Sequence, residues 1–225
     1  MPISADALNR IQLLVFDLDG TLIDSETYLA LSVNATLERM GSPTLSVEQV
    51  ASYVGQGVSV LVRRALGEDA AEEEVNRGVT IFLDEYRERM LDHTKPYPGV
   101  CEALEELRTR KLAVLTNKPV HFSRSILDGL GLSRYFFQIY GGNSFENKKP
   151  DPVGLLQLMT EADVPASKTL MVGDSATDVL TGRNGGAWTC GVAYGIGAET
   201  LREEPPDFLV KDLRELSALL NQDRE

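Results

Sequence analysis

Residues 13 to 16, Leu-Leu-Val-Phe, form a short apolar, partly β-branched run that stops at Asp17-Leu18-Asp19-Gly20. A run of this length and character reads as a strand buried on both faces, as in a sheet covered by helices on either side. The polar pair therefore sits at a strand tip. Gly20 and Thr21 loosen the backbone there, so both carboxylates can converge on one point. Converging carboxylates repel each other unless a cation or a proton intervenes. That repulsion points to a divalent-metal site with one carboxylate free for nucleophilic or acid–base work. A lone Asp-x-Asp-Gly is also a common surface turn, so the rest of the chain has to decide.

The stretch from residue 25 to about 95 carries only helical patterns. Leu29, Val33, Leu37 and Met40 recur at spacings of three and four, closing at Gly41. Ser46 with Gln49 reads as a capping box, and Tyr53-Val-Gly-Gln-Gly-Val58 as a glycine-hinged loop. Helices over 58–66 and along Val75, Val79, Phe82 or Leu83, Tyr86 and Met90 follow.

Tyr97-Pro98-Gly99 breaks this pattern, and strands then alternate with helices. Strands are expected over 112–115, 136–140, 169–172, 188–193 and 208–210. Helices are expected over 100–110, from Pro119 to about Leu130, from Asp151-Pro152 to about 162, from about 176 to Gly185-Gly186, and after Asp212. The fold class is α/β: a Rossmann-like three-layer α/β/α core with a parallel sheet. Residues 1–24 and 96–225 make that core, and 25–95 are an inserted all-helical cap domain.

A net charge of −12 argues against nucleic acid or an anionic membrane surface as partner. A small anion remains possible where positive charge is local. Cys101 and Cys190 lie far apart without metal-ligand spacing, which fits a reducing cytosol. Met1 to Arg10 lack a basic segment followed by an apolar core, and no apolar run reaches about 18 residues. A cytoplasmic chain without a membrane span is expected, monomer or homodimer.

Polar residues gather after three expected strands: Asp17 and Asp19, then Thr116 and Asn117, then Asp174 with Asp178 one helical turn on. In open α/β sheets the ligand lies at that edge. Thr116 and Asn117 supply donors beside a helix start primed by Pro119, and Lys148 and Lys149 add positive charge from a loop. Each piece alone reads equally as a turn, a cap or a solvated corner. Together at successive strand tips they form one site.

Phe-Asp-Leu-Asp-Gly-Thr-Leu-Ile-Asp-Ser, Leu-Thr-Asn-Lys-Pro, Gly-Gly followed by Asn-Lys-Lys-Pro-Asp-Pro, and Val-Gly-Asp-Ser-Ala-Thr-Asp resemble the haloacid dehalogenase-like phosphohydrolases with a helical cap. With Gly-Gln-Gly ahead of Arg-Ala-Leu, the chain is most similar to the phosphoglycolate phosphatases. By that resemblance Asp17 attacks phosphorus, forming an aspartyl-phosphate, and Asp19 protonates the leaving alkoxide. It also implies Mg²⁺ held by Asp17, the backbone carbonyl of Asp19 and Asp174, with Asp178 in support. Thr116, Asn117 and Lys149 neutralise the phosphoryl group. The family often has Asp where Asn143 stands, and Lys118 either helps to bind the anion or is solvated.

The implied substrate is a small phosphate ester, with 2-phosphoglycolate the best match. Another phosphate ester, pyrophosphate or a sugar phosphomutase reaction stay open, and a non-catalytic binding role is disfavoured by the intact acidic residues. Gly55, Gln56 and Gly57 are candidate readers of the leaving group. Arg64 either grips a substrate carboxylate or lies on a solvent face. His93 and His121 read as surface residues.

Overall fold

The computed structural model describes residues 4–221. Met1 to Ile3, part of the opening stretch read above for a leader, lie outside the described residues. A short helix α1 (Ala5–Asn9) precedes β1 (Leu13–Phe16), and the chain then turns tightly into β2 (Ile23–Asp24). Helices α2 (Glu26–Met40), α3 (Val47–Ala51), α4 (Val58–Leu66) and α5 (Glu72–Arg89) follow without an intervening strand. β3 (Lys95–Pro96) returns the chain to α6 (Val100–Leu107), β4 (Lys111–Leu115), α7 (Val120–Gly129), β5 (Gln138–Tyr140) and α8 (Val153–Ala162). The remainder runs β6 (Thr169–Gly173), α9 (Ala176–Asn184), β7 (Trp188–Val192), β8 (Phe208–Val210) and α10 (Leu213–Asn221).

Six strands form one parallel sheet in the order β5-β4-β1-β6-β7-β8. Side chains alternate across a strand, and this alternation sorts the central strands between two cores. Leu14 and Phe16 of β1, Leu112 and Val114 of β4, and Leu170 and Val172 of β6 pack with α6, α7 and α10. Leu13, Val15, Ala113, Leu115 and Met171 pack on the other face, against Leu155 and Leu158 of α8. Gly182 brings α9 against Met171 on that same face. The three-layer expectation is met, and the apolar run 13–16 is fully buried because both of its faces are covered.

β2 and β3 pair antiparallel, Ile23 with Pro96 and Asp24 with Lys95, where the helical stretch leaves and rejoins the sheet. α2 stops at Gly41, whose φ of 74° supplies the left-handed turn that ends the helix. The Ser46–Gln49 capping box opens α3. Gly78 lets α5 cross closely over α4, since a Cβ there would stand 2.7 Å from Val62 Cγ1. Tyr28 Oη ties α2 to α5 by donating to the carbonyls of Glu85 and Tyr86. Two expected elements are shorter: the strand over 136–140 begins at Gln138 after a 3-10 turn, and the helix over 100–110 ends at Leu107.

Candidate active site

The strand order reverses around β1, which has β4 on one side and β6 on the other. Such a switch point opens a crevice beyond the carboxyl ends of the strands. Asp17, Thr116 and Asp174 each follow one of these three strands directly. Asp17 is still within the ladder, its N–H donating to the Val172 carbonyl at 2.9 Å.

Asp17, Asp174 and Asp178 are buried, and each offers a carboxylate oxygen within 4.8 Å of the others. Lys149 reaches into them, its Nζ 2.6 Å from Asp178 Oδ1 and 2.8 Å from Asp17 Oδ1. Asp178 Oδ2 accepts from Ser175 N–H and Ser175 Oγ, closing the capping box that starts α9. Both oxygens of Asp178 are thus engaged, and its work is to aim Lys149 and fix the helix start. Asp174 Oδ2 accepts from Gly197 N–H at 2.7 Å. Asp17 Oδ1 is buried, and its partner is the Lys149 ammonium at 2.8 Å.

Burial, with Asp178 nearby, raises the Asp17 carboxyl from 3.8 to about 6 against the pull of Lys149. Burial and the charges of Asp178 and Asp17 raise Asp174 well above the ordinary carboxyl value. Burial works against the Lys149 ammonium, yet Asp17 and Asp178 together hold its pKa above that of a free lysine. Three buried acids face one ammonium, and the excess negative charge is relieved by a proton or a cation. The donors suit a divalent metal: all are hard carboxylate oxygens, gathered within 4.8 Å of one another. The backbone leaves room for this cluster. A Cβ on Gly20, whose φ is 82°, would stand 2.1 Å from Asp174 Oδ2, and one on Gly195 would stand 2.1 Å from Asp174 Cβ.

Asp19 lies apart from that group. Its carboxylate accepts from Ser25 Oγ at 2.6 Å and from Lys118 Nζ at 3.0 and 3.1 Å, so any share in the metal site falls to its backbone carbonyl. Lys118 is not solvated. It is 8% exposed, with its Nζ 4.5 Å from the centre of the Tyr86 ring. Burial would lower its pKa, but Asp19 and Tyr86 outweigh that and raise it.

Thr116 Oγ1 accepts from the Lys118 N–H. The Asn117 side-chain amide donates to the carbonyls of Gly55 at 2.9 Å and Lys149 at 3.0 Å, so it ties the 53–58 loop to the strand edge. Its main-chain N–H is then the donor it could turn to an anion. Asn143 is exposed and caps α7, accepting from Val120 N–H at 2.8 Å.

Helices from the 26–89 stretch roof this edge and enclose with it a cleft of about 710 Å³ that opens to solvent. Its floor carries Asp17, Asp19, Thr116 and Lys118, and its roof is apolar, with Leu29, Leu61 and Phe82. Gly55 and Gly57 line it, whereas Gln56 and Arg64 do not. Arg64 instead donates to Gln56 Oε1 at 3.3 Å and lies 3.9 Å from Glu68. At 100° per residue it sits about 60° around α4 from Leu61 and one turn further from the loop, which carries it to the flank.

Sequence reasoning missed two contributors. Tyr86 reads as one more apolar position in a helical stripe, and Ser25 as the start of the inserted stretch, although they contact Lys118 and Asp19 respectively. Side chains from segments so distant in sequence give no local signal.

A sheet-edge carboxylate cluster with a buried lysine and a helical roof defines a class of hydrolase built to manage concentrated negative charge. Residues 14–192 match the family model of the haloacid dehalogenase-like hydrolases, and the chain belongs to that family. It is 40% identical over 215 residues to a phosphoglycolate phosphatase of Vibrio parahaemolyticus, covering 92% of this chain and 94% of that one. A phosphoglycolate phosphatase of Pseudomonas syringae pv. tomato is 41% identical, over 91% of this chain and 78% of that one. A crystal structure of a predicted phosphoglycolate phosphatase from Haemophilus somnus superposes with a TM-score of 0.87 at 30% identity, covering 95% and 98% of the two chains. No helix among the described residues is long and apolar enough to cross a membrane.

Proposed function

We propose that the chain hydrolyses 2-phosphoglycolate, with Asp17 as nucleophile and Asp19 as proton donor to the departing alkoxide. The observation that carries this reading is Asp17 itself, a buried carboxylate at the floor of the cleft, gathered with Asp174 and held 2.8 Å from the Lys149 ammonium. The relatives' activity supports the substrate. Asp17, Asp174 and the backbone carbonyl of Asp19 would hold Mg²⁺, which would supply positive charge beside the phosphoryl group.

The chain's own groups do the remaining work. Lys149, aimed by Asp178, balances the charge of Asp17 and of an incoming phosphoryl oxygen. The Thr116 hydroxyl and the Asn117 main-chain N–H donate to the remaining oxygens. Attack by Asp17 forms an aspartyl-phosphate while Asp19 delivers a proton to the leaving oxygen; Asp19 then takes a proton from the water that releases phosphate. Residues 25–95 act as a cap that excludes water, hinged at the β2–β3 pair, on the core of 1–24 and 96–225. We place the reaction in the cytoplasm, in keeping with the unpaired thiols of Cys101 and Cys190.

The test is phosphate release from 2-phosphoglycolate, sugar phosphates, nucleotides and pyrophosphate, with Mg²⁺ or with EDTA. Mg²⁺-dependent release with 2-phosphoglycolate as the best substrate is expected. Unchanged release in EDTA, or a nucleotide or pyrophosphate hydrolysed faster, would overturn the reading.

A further inference from the structure

Resting on the phosphatase reading above, we propose that Lys118 and Tyr86 form the subsite that receives the carboxylate of the leaving group. The enzyme then selects phosphorylated short hydroxy acids over neutral phosphate esters. The cleft is acidic: Asp17, Asp19 and Asp174 line it, and Lys118 is its one basic side chain among the described residues. An anionic leaving group has to meet a cation there or be repelled. Arg64, the candidate on the roof, is turned to Gln56 and Glu68 outside the cleft, and Lys148, whose Nζ stands beside Gly57, is not among the lining residues.

Lys118 follows Thr116 by two residues, so it stands next to the phosphoryl-binding tip of β4. Its Nζ contacts both oxygens of Asp19, where the leaving oxygen is received, and lies over the Tyr86 ring. The Tyr86 hydroxyl is buried, faces the Lys118 ammonium, and has no acceptor for its own proton. An orphaned donor beside a buried ammonium matches a carboxylate, which offers two acceptor oxygens. The two groups come from opposite sides of the cleft, Lys118 from the strand edge and Tyr86 from α5. Phe82, Tyr28 and Phe122 pack around the Tyr86 ring, at centroid distances of 5.5, 4.9 and 5.2 Å, and hold it in place. The roof beside them is apolar, with Leu29, Leu61 and Phe82, so it offers a polar tail no competing partner on that side.

The experiment compares kcat/KM for 2-phosphoglycolate with that for ethyl phosphate, whose tail is uncharged, in wild type, Lys118→Met, Lys118→Arg and Tyr86→Phe. Wild type is expected to favour 2-phosphoglycolate. Lys118→Met should lower that preference about tenfold to a hundredfold, as loss of a charge-assisted hydrogen bond does, mainly by raising KM for the acid. Lys118→Arg should restore part of the preference. Tyr86→Phe, which keeps the ring and its packing, should lower it several-fold and carries the test if Lys118→Met does not fold. A ratio unchanged from wild type in the folded variants, or no preference in wild type, would overturn the subsite and leave the phosphatase reading standing. Wild type releasing phosphate from neither ester would overturn the phosphatase reading itself.

Discussion

Replacing the proposed nucleophile should stabilise the metal-free fold. Asp17 ionises near 6 in the folded chain against 3.8 ordinarily, so at neutral pH its charge works against folding. At about 1.4 kcal/mol per pH unit the penalty is about 3 kcal/mol once both states are ionised. Asp17→Asn keeps the shape of the neutral acid and removes the charge. Because the folded value is the raised one, wild type has its full stability below about pH 4 and loses it as pH rises through about 6. In EDTA the variant should match wild type near pH 4 and exceed it by about 3 kcal/mol at pH 7.5. For a chain of this length that is about 6–12 °C in Tm. Urea unfolding at several pH values checks this, and saturating Mg²⁺ should narrow the gap by binding the wild-type cluster. A variant no more stable than wild type at pH 7.5, or a difference that does not grow from pH 4 to 7, would refute the electrostatic reasoning.

Asp19→Asn should leave Mg²⁺ binding intact through the backbone oxygen and lower kcat by about 10²–10⁴, the usual cost of losing a general acid, measured by steady-state phosphate release. Lys149→Met leaves Asp17 and Asp178 facing each other in a buried site; a destabilisation of about 3–5 kcal/mol by urea unfolding and loss of turnover are expected. Gly195→Ala drives a methyl into Asp174, and Mg²⁺ affinity measured by calorimetry should fall about tenfold or more.

The strands were legible where burial on both faces leaves an unbroken apolar run, as at Leu13–Phe16 and Thr169–Val172. The roof helices were legible from periodicity and from caps with local chemistry, Gly41 and the Ser46–Gln49 pair. β2 and β3 were not, because strands of two residues have no period to read. At the site, strand-tip position brought Asp17, Thr116 and Asp174 together in advance, since topology alone places them at one edge. The partners that decide chemistry were hidden. Lys118 reads equally as an anion binder or as a solvated lysine, and the contact with Tyr86 from a distant helix that decides between them has no local signal. Arg64 has the charge a carboxylate needs but the wrong helical angle. Asn117 looks like an anion donor, yet its side chain is spent on two backbone carbonyls.

The most direct test of the central claim is to locate the covalent intermediate. The enzyme, turning over 2-phosphoglycolate labelled in its phosphate, is quenched in acid and its peptides are mapped. Label on the peptide containing Asp17, absent in Asp17→Asn, is the predicted result. Full phosphate release with no label on any peptide, or label on a different side chain, would contradict the account.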